Sequence, residues 1–345
     1  MKIGDWHLSS GTTFIIAEAG VNHNGDLELA RLLVDVAVRA GANAVKFQTF
    51  KADKLVSVNA PKAEYQRQTS DATESQYDML RRLELSLEAH KYLFAYCTRK
   101  NILFMSTPFD EDSANVLDEL GVTAFKIPSG EITNLPLLTH IARKDKPMIV
   151  STGMSTLGEV ETAVNTVESA GNANIVLLHC VSNYPADPAD VNLRAMHTMA
   201  TAFDVPIGYS DHTQGIEVSL AAVALGACVI EKHFTLDRGL PGPDHAASLE
   251  PAELAEMVRC IRIVELSLGN GRKKPATSEA DTTAVIRKSL VAECDLTTGT
   301  ILRDAMIGIK RPGTGLPPAM RSLLIGKTLT RDVARGTLLT LEMIA

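Results

Sequence analysis

Residues 208–245 read GYSDHTQGIEVSLAAVALGACVIEKHFTLDRGLPGPDH, and this stretch decides the fold. A short apolar run ends in Gly208–His212, a helical segment follows, and a second apolar run, Cys228–Ile230, leads to His233. Strand, helix and strand in this order predict two neighbouring parallel strands, with His212 and His233 at the same end. Two imidazoles so placed can share one divalent cation and leave other coordination positions open, as a catalytic metal requires.

The same alternation of apolar runs and helical segments recurs along the whole chain. We predict eight strands, at Phe14–Ala17, Ala44–Gln48, Ile102–Met105, Ala124–Ile127, Met148–Val150, Ile175–Leu178, Val205–Ile207 and Cys228–Ile230. Eight strands, each followed by a helix, predict an α/β fold in which a closed parallel (β/α)₈ TIM barrel occupies residues 1–268. Residues 51–86 are too many for a simple strand-to-helix connection, so we predict an active-site flap there.

The composition of the chain changes after the barrel. Residues 269–284 are rich in Gly, Lys, Thr and Ser, which is typical of a linker. Residues 285–345 contain an internal echo, because DLTTGTIL at 295–302 resembles DVARGTLL at 332–339. A module of roughly 60 residues is near the lower limit for independent stability, so we expect it to rest on a partner surface.

The composition and net charge of the chain argue against several classes of binding partner. The 345 residues are 45% hydrophobic and 22% charged, and the net charge of −7 argues against nucleic acid and anionic membranes. The five cysteines are scattered and odd in number, which indicates reduced thiols. The first ten residues contain no signal-peptide core, and the longest apolar stretch is too short for a membrane span. These observations predict a cytoplasmic protein.

Polar residues stand where the predicted strands end, which is where barrel enzymes place their chemistry. They include two lysines and several hydroxyls from different strands, and such a set suits a phosphate or a carboxylate. A barrel lysine can equally form the Schiff base of an aldolase, and the residue pattern alone does not separate the two. Lysines at solvated loop ends and serines that cap helices are the structural alternatives.

Several motifs at these strand ends resemble the sialic acid synthases, a family that includes the N-acetylneuraminate, legionaminate and pseudaminate synthases. The motifs are AEAGVNHNG at 17–25, VKFQT at 45–49, STPF at 106–109, KIPSGE at 126–131, STGM at 151–154, SDHT at 210–213, EKHFT at 231–235, GPD at 242–244 and KRPG at 310–313. The resemblance implies that phosphoenolpyruvate condenses with an N-acylated mannosamine-type sugar to give phosphate and a nine-carbon 2-keto acid. It also implies that residues 285–345 form an antifreeze-like (SAF) domain that reaches across a homodimer and closes the partner's site.

The resemblance assigns roles residue by residue. His212 and His233 would hold Mn²⁺ or another divalent ion such as Mg²⁺ or Co²⁺, and Glu18 would transfer a proton or orient a hydroxyl. The phosphoenolpyruvate site would comprise Lys46, Thr107, Phe109, Lys126, Ser129, Ser151 and Ser210. The sugar site would comprise Gln48, Glu131, Ser182, Tyr184 and Asp244, with Arg311 from the other subunit on the N-acyl group. Glu131 is counted among the catalytic residues together with Glu18 and the two histidines.

One departure bears on which sugar is bound. Some synthases place an Asn on the sugar where this chain has Ser182. We predict N-acetylmannosamine as the substrate, with the 2,4-diacetamido-2,4,6-trideoxymannose of legionaminate synthases as the alternative and a 6-phosphorylated sugar as a third. Three other readings remain open: a Schiff-base aldolase, a non-catalytic protein whose C-terminal module binds carbohydrate or ice, and a synthase of eight-carbon or seven-carbon keto acid phosphates.

Overall fold

The computed structural model describes residues 1–8, 11–70 and 74–345 of the chain. It divides into two compact units, Met1–Gly269 and Asn270–Ala345. Residues 71–73 of the predicted flap lie outside the described residues.

The first unit contains the predicted TIM barrel, which is confirmed. An antiparallel hairpin of β1 (Lys2–Ile3) and β2 (Trp6–His7) precedes it and was not predicted. The barrel strands are β3 (Phe14–Gly20), β4 (Ala44–Thr49), β5 (Leu103–Pro108), β6 (Phe125–Ile127), β7 (Met148–Ser151), β8 (Ile175–Cys180), β9 (Ile207–Asp211) and β10 (Val229–His233). All recorded pairings among them are parallel, in the order β5-β4-β3-β10-β9-β8-β7-β6. Strands β5 and β6, the two ends of this order, pack side by side and close the circle.

Helices surround the barrel. They are α1 (Leu27–Ala40), α2 (Ala52–Leu55), α3 (Glu64–Thr69), α4 (Gln76–Leu83), α5 (Leu87–Lys100), α6 (Glu111–Leu120), α7 (Leu135–Ala142), α8 (Leu157–Ser169), α9 (Arg194–Phe203), α10 (Glu217–Ala224) and α11 (Pro251–Leu268). Three of them, α2, α3 and α4, belong to the flap over the carboxyl ends of the strands. Helix α1 illustrates why they form where they do. Asp26 caps its first turn through the backbone N–H groups of Glu28 and Leu29, and Gly41 ends it with a φ of 80°. Between these ends its apolar face packs into the main core.

Most barrel strands extend further than their apolar runs, towards the polar residues at their carboxyl ends. Strand β9 shows the largest difference, because it begins at Ile207 and continues to Asp211, whereas Val205–Ile207 was predicted. The interior of a barrel end is polar when it forms a site, so hydrophobicity stops marking the strand before the hydrogen-bonded ladder ends. The helical segment after β9, which the sequence predicts over residues 214–226, is also shorter, because α10 spans only Glu217–Ala224.

The second unit has its own small core and two antiparallel strands. Its elements are α12 (Ala280–Ile286), β11 (Ser289–Ala292), β12 (Ile307–Lys310) and α13 (Arg321–Leu324). The two echo segments pair with each other through an antiparallel bridge between Leu296 and Val333. The pairing is reciprocal, since Asp332 accepts from the backbone of Thr298 and Asp295 accepts from that of Arg335.

The predicted linker 269–284 is more ordered than its composition suggests. A 3₁₀ turn at Thr277–Glu279 leads directly into α12. The Glu279 carboxylate accepts a hydrogen bond of 2.6 Å from the backbone N–H of Ala276, which fixes this turn. A polar, flexible composition therefore did not exclude a short helix at the end of the segment.

Candidate active site

A cavity of about 480 Å³ opens at the carboxyl ends of the barrel strands. Every site residue predicted for the first unit lines it: Glu18, Lys46, Gln48, Thr107, Phe109, Lys126, Ser129, Glu131, Ser151, Ser182, Tyr184, Ser210, His212, His233 and Asp244. Arg311 belongs to the second unit, where it is exposed directly after β12. The barrel thus brings together residues that are separated by up to 226 positions in the sequence, from Glu18 to Asp244.

Four charged side chains form a buried network at the floor of the cavity. Lys46 Nζ lies 2.7 Å from Glu18 Oε2 and 3.7 Å from Glu231 Oε2. Lys126 Nζ lies 3.2 Å from Glu231 Oε1, so Glu231 joins the two lysines. Lys46 also donates a 2.9 Å hydrogen bond to Thr107 Oγ1. This alternation of charges holds the ammonium groups of Lys46 and Lys126 in place beside the cavity.

Burial and neighbouring charges set the protonation states in this network. Burial opposes ionisation of Glu231, but Lys126 and Lys46 hold its pKa at about 2, so it stays a carboxylate. Burial raises the pKa of Glu18 to about 7 despite the attraction of Lys46. Burial also lowers the pKa of Lys126. The two carboxyl groups that contact Lys46 therefore differ in protonation. Glu231 stays charged, whereas Glu18 exchanges a proton near neutral pH.

The hydroxyl groups of five residues line the cavity beside this network: Thr107, Ser129, Ser151, Ser182 and Ser210. Ser210 Oγ donates a 3.0 Å hydrogen bond to Glu231 Oε1, and Ser129 Oγ accepts one of 3.0 Å from the backbone N–H of Gly153. Ser151 Oγ is buried and has no partner among the residues the structure describes. A buried hydroxyl without a protein partner at a cavity wall is available to hydrogen-bond a ligand or a water molecule.

The two predicted metal ligands lie side by side. The ring centroids of His212 and His233 are 5.5 Å apart. Two nitrogens at about 2.1 Å from a shared ion place their ring centres roughly 5–6 Å apart, so the spacing fits. His212 Nδ1 donates a 2.7 Å hydrogen bond to the carbonyl oxygen of Val181, so Nε2 is the nitrogen that would ligate an ion.

The surroundings of this pair suit a catalytic rather than a structural ion. Burial, together with His212 and Lys46, holds the pKa of His233 well below its ordinary value, so its imidazole is neutral. His233 Nδ1 has no hydrogen-bond partner in the described part of the chain. Across residues 1–8, 11–70 and 74–345, no group of three or more His, Cys, Asp or Glu side chains could hold a metal ion. An ion on these two imidazoles would therefore keep positions for water or substrate.

Aromatic rings and one carboxyl group form the opposite wall. Tyr184 lies over His212, with ring centroids 4.1 Å apart, and Tyr65 of α3 lies 5.1 Å from Tyr184. Burial raises the pKa of Asp244 to about 6, and its Oδ2 lies 3.9 Å from His233 Nδ1. Thr69 Oγ1 donates to the carbonyl of Pro243, which joins the flap to the loop that carries Asp244.

The flap helices contribute a third surface, which is apolar. Met79, Leu80 and Leu83 of α4 line the cavity together with Val21 and Leu55. Val21, Met79 and Leu83 are also members of a hydrophobic cluster that is separate from the main core. We call the five residues Val21, Leu55, Met79, Leu80 and Leu83 the apolar wall.

Several residues that line the cavity were not predicted, among them the apolar wall, Glu231, Cys180 and Tyr65. Glu231 was quoted only as part of a motif, although the strand alternation that directs His233 into the barrel directs Glu231 there as well. Cys180, 3.6 Å from His212 Nδ1, ends an apolar run and carried no signal of its own. Tyr65 lies in the flap, where no strand periodicity indicated which residues face the cavity.

The length and polarity of the helices can be compared with what a membrane span requires. In the described residues, no helix is both long and apolar enough to cross a membrane.

The fold and site are those of a TIM-barrel enzyme whose cavity brings two buried lysines, their carboxylate partners and two neighbouring imidazoles together at the carboxyl ends of the strands. The chain matches the NeuB family over residues 33–273 and the SAF domain over residues 287–345. It is 52% identical to the N,N'-diacetyllegionaminic acid synthase of Legionella pneumophila, over 97% of this chain and 96% of that protein. It is 37% identical to the human N-acetylneuraminate-9-phosphate synthase, over 99% of this chain and 95% of that protein.

A solved structure agrees with these matches. The N-acetylneuraminic acid synthetase of Leptospira borgpetersenii, crystallised with citrate, superposes with a TM-score of 0.72 at 38% identity, over 82% of this chain and 94% of that chain. The chain belongs to the NeuB family and is a phosphoenolpyruvate-dependent condensing synthase with a C-terminal SAF domain. These matches argue against the two alternative interpretations of the sequence, a Schiff-base aldolase and a non-catalytic binding protein.

Proposed function

We propose that this synthase condenses phosphoenolpyruvate with 2,4-diacetamido-2,4,6-trideoxymannose to give N,N'-diacetyllegionaminate and phosphate. The trideoxy sugar is the alternative that the sequence left open, and the proposal places it ahead of N-acetylmannosamine. It is supported by the relatives at 52% and 50% identity, both N,N'-diacetyllegionaminic acid synthases.

The apolar wall is the structural observation that carries the choice of sugar. N-acetylmannosamine has hydroxyl groups at C4 and C6, whereas the trideoxy sugar has an acetamido methyl and a C6 methyl there. Met79 and Leu83 are almost fully buried and present hydrocarbon to the cavity. A hydroxyl against such a surface loses hydrogen bonds to water without gaining others, whereas a methyl gains burial.

The charged network suits the phosphoenolpyruvate half of the reaction. Lys46 and Lys126 would hold the phosphate and carboxylate charges, and the unpartnered Ser151 hydroxyl would donate to one of their oxygens. C3 of phosphoenolpyruvate attacks the aldehyde carbon of the open-chain sugar, and the aldehyde oxygen gains a proton. Water then adds at C2 and loses a proton, and the resulting intermediate expels phosphate by cleavage of the C–O bond.

The proton that water loses needs an acceptor beside C2. Glu18 has a pKa of about 7 and contacts Lys46, so it can take up this proton near neutral pH. A divalent ion held by His212 and His233 would act as a Lewis acid on the aldehyde oxygen. Tyr184 and Asp244 lie beside the imidazoles and would orient the sugar.

The choice of sugar is tested by measuring phosphate release from phosphoenolpyruvate with Mn²⁺ across a panel of N-acyl sugars. We expect kcat/KM for the trideoxy sugar to exceed that for N-acetylmannosamine by about 10²-fold, the discrimination that an apolar pocket reaches against an added hydroxyl. N-acetylmannosamine 6-phosphate should turn over more slowly still. Equal or faster turnover of N-acetylmannosamine would show that the apolar wall does not select the sugar.

The metal assignment has a separate test. Removal of divalent ions by EDTA should abolish turnover, and Mn²⁺ should restore it. His212→Ala and His233→Ala should each lose activity and Mn²⁺ binding while they keep the far-UV circular dichroism of the parent protein. Full activity of either variant after metal removal would disprove the assignment.

We also propose a homodimer in which the SAF domain of one subunit completes the sugar site of the other through Arg311. Support comes from the resemblance to the sialic acid synthases and from the small size of the C-terminal core.

A further inference from the structure

Another buried ion pair is formed by the two residues that directly precede the two histidines in the sequence. Lys232 Nζ is 2.9 Å from Asp211 Oδ2, and both side chains are 0% exposed. The ladder between β9 and β10 places Asp211 opposite Lys232. Because strand residues alternate between faces, the pair lies on the outer face of the barrel wall while Ser210 and Glu231 face the cavity.

The pair is part of a network in which both carboxylate oxygens have two partners. Asp211 Oδ1 accepts from the backbone N–H of Thr213 at 2.9 Å and from its hydroxyl at 2.7 Å. Asp211 Oδ2 accepts from Lys232 and from Ser219 of α10, at 2.6 Å. Lys232 also donates to the carbonyl oxygen of Thr213. The network therefore fastens the residues on both sides of His212 to the strand that carries His233.

His212 needs such support because it lies one residue beyond the end of β9. Its ring is oriented by Val181, and its carbonyl accepts a 2.8 Å hydrogen bond from the N–H of Ala186. His233 is the last residue of β10 and follows Lys232 directly. A shift of either strand end would change the separation of the two imidazoles.

We propose that Asp211 and Lys232 are positioning residues that set the spacing of His212 and His233 for a divalent ion. The inference rests on the metal site proposed above. Stability alone does not account for the pair, since apolar residues of similar volume in place of a buried ion pair are often neutral or stabilising. Apolar residues would not, however, form the hydrogen bonds that hold Thr213 to Asp211 of β9 and to Lys232 of β10.

The test uses the full-length protein with Asp211→Asn and Lys232→Met combined, so that no unpaired charge is left in the core. Mn²⁺ affinity is measured by electron paramagnetic resonance, and phosphoenolpyruvate affinity by calorimetry. We expect Mn²⁺ to bind about 10–100-fold more weakly, as found when outer-shell partners of metal ligands are replaced. The dissociation constant of phosphoenolpyruvate should stay within about twofold, because Lys46 and Lys126 are untouched.

Ile141→Ala serves as the control for lost stability. Ile141 is fully buried near the C-terminal end of α7 and does not line the cavity, so this variant should lose stability but keep Mn²⁺ affinity. If the double variant does not fold, Asp211→Asn alone should weaken Mn²⁺ binding in the same direction. A folded double variant with parental Mn²⁺ affinity would overturn the positioning role alone. A parent protein that shows no saturable Mn²⁺ binding would overturn the metal site and this inference together.

Discussion

The two halves of the cavity are formed by different structural elements. The charged half stands on barrel strands, where Lys46, Lys126 and Glu231 are at most 4% exposed in their side chains and lock one another in place. The other half is made by the flap, whose three short helices are tied down by the apolar wall and by a few polar contacts such as that of Thr69 with Pro243.

This difference assigns separate tasks to the two halves. A hydrogen-bonded strand end tolerates little displacement, so it suits charges that must keep a fixed geometry around a reacting phosphate ester. A helical flap can change its side chains without disturbing the barrel, so it suits the choice of sugar. The chemistry should therefore fail when the strand half is altered, and specificity should shift when the flap is altered.

The largest effect is expected from Lys126→Met. Removal of one lysine leaves Glu231 without its nearest cation and phosphoenolpyruvate without a charge partner. A loss of about 2–5 kcal/mol in phosphoenolpyruvate binding should follow, which is roughly 30-fold to 4,000-fold in the dissociation constant. Calorimetry measures it directly. An unchanged dissociation constant would place this lysine outside the phosphoenolpyruvate site.

A smaller effect of a different kind is expected from Leu80→Gln in the flap. Leu80 is only partly buried, so the change should cost little stability, and glutamine is a good helix former. A polar group in the apolar wall should lower the preference for the trideoxy sugar over N-acetylmannosamine by about tenfold, within the 1–3 kcal/mol typical of such pocket contacts. The KM for phosphoenolpyruvate should not change.

Leu87→Gln is the matched control, because Leu87 is an exposed leucine at the start of α5 and does not line the cavity. Its sugar preference should equal that of the parent protein. If Leu80→Gln also leaves the preference unchanged, the division between a chemical half and a selective half is wrong.

The same division explains which residues of the site could be predicted from the sequence. Lys46, Lys126 and His233 could be placed because each ends or interrupts an apolar strand, and parallel strands of a barrel bring such ends together. Glu231 could have been found by the same alternation. Tyr65 and the flap residues of the apolar wall could not, because short helices of a flap carry no long period and their orientation depends on tertiary contacts. Asp211 and Lys232 face away from the cavity, so strand ends alone gave no reason to pair them.

The smallest departure from parental activity is expected for a mixed dimer, which tests whether Arg311 extends the selective half across the subunit boundary. Arg311→Ala and His212→Ala should each be nearly inactive as pure proteins, one for loss of a sugar contact and the other for loss of a metal ligand. If Arg311 serves the other subunit, a mixed dimer has one site with both defects and one with neither. Its activity should then return to about half that of the parent dimer, since one site in two is intact.

Mixing must therefore be carried out under conditions that exchange subunits, with each chain carrying a different affinity tag so that the mixed dimer can be purified. Activity near one half in that species supports a site shared between subunits. If Arg311 acts within its own chain, each subunit of the mixed dimer keeps a single defect, and no site is restored. An inactive purified mixed dimer would therefore confine the sugar site to one chain and leave the flap as its selective wall.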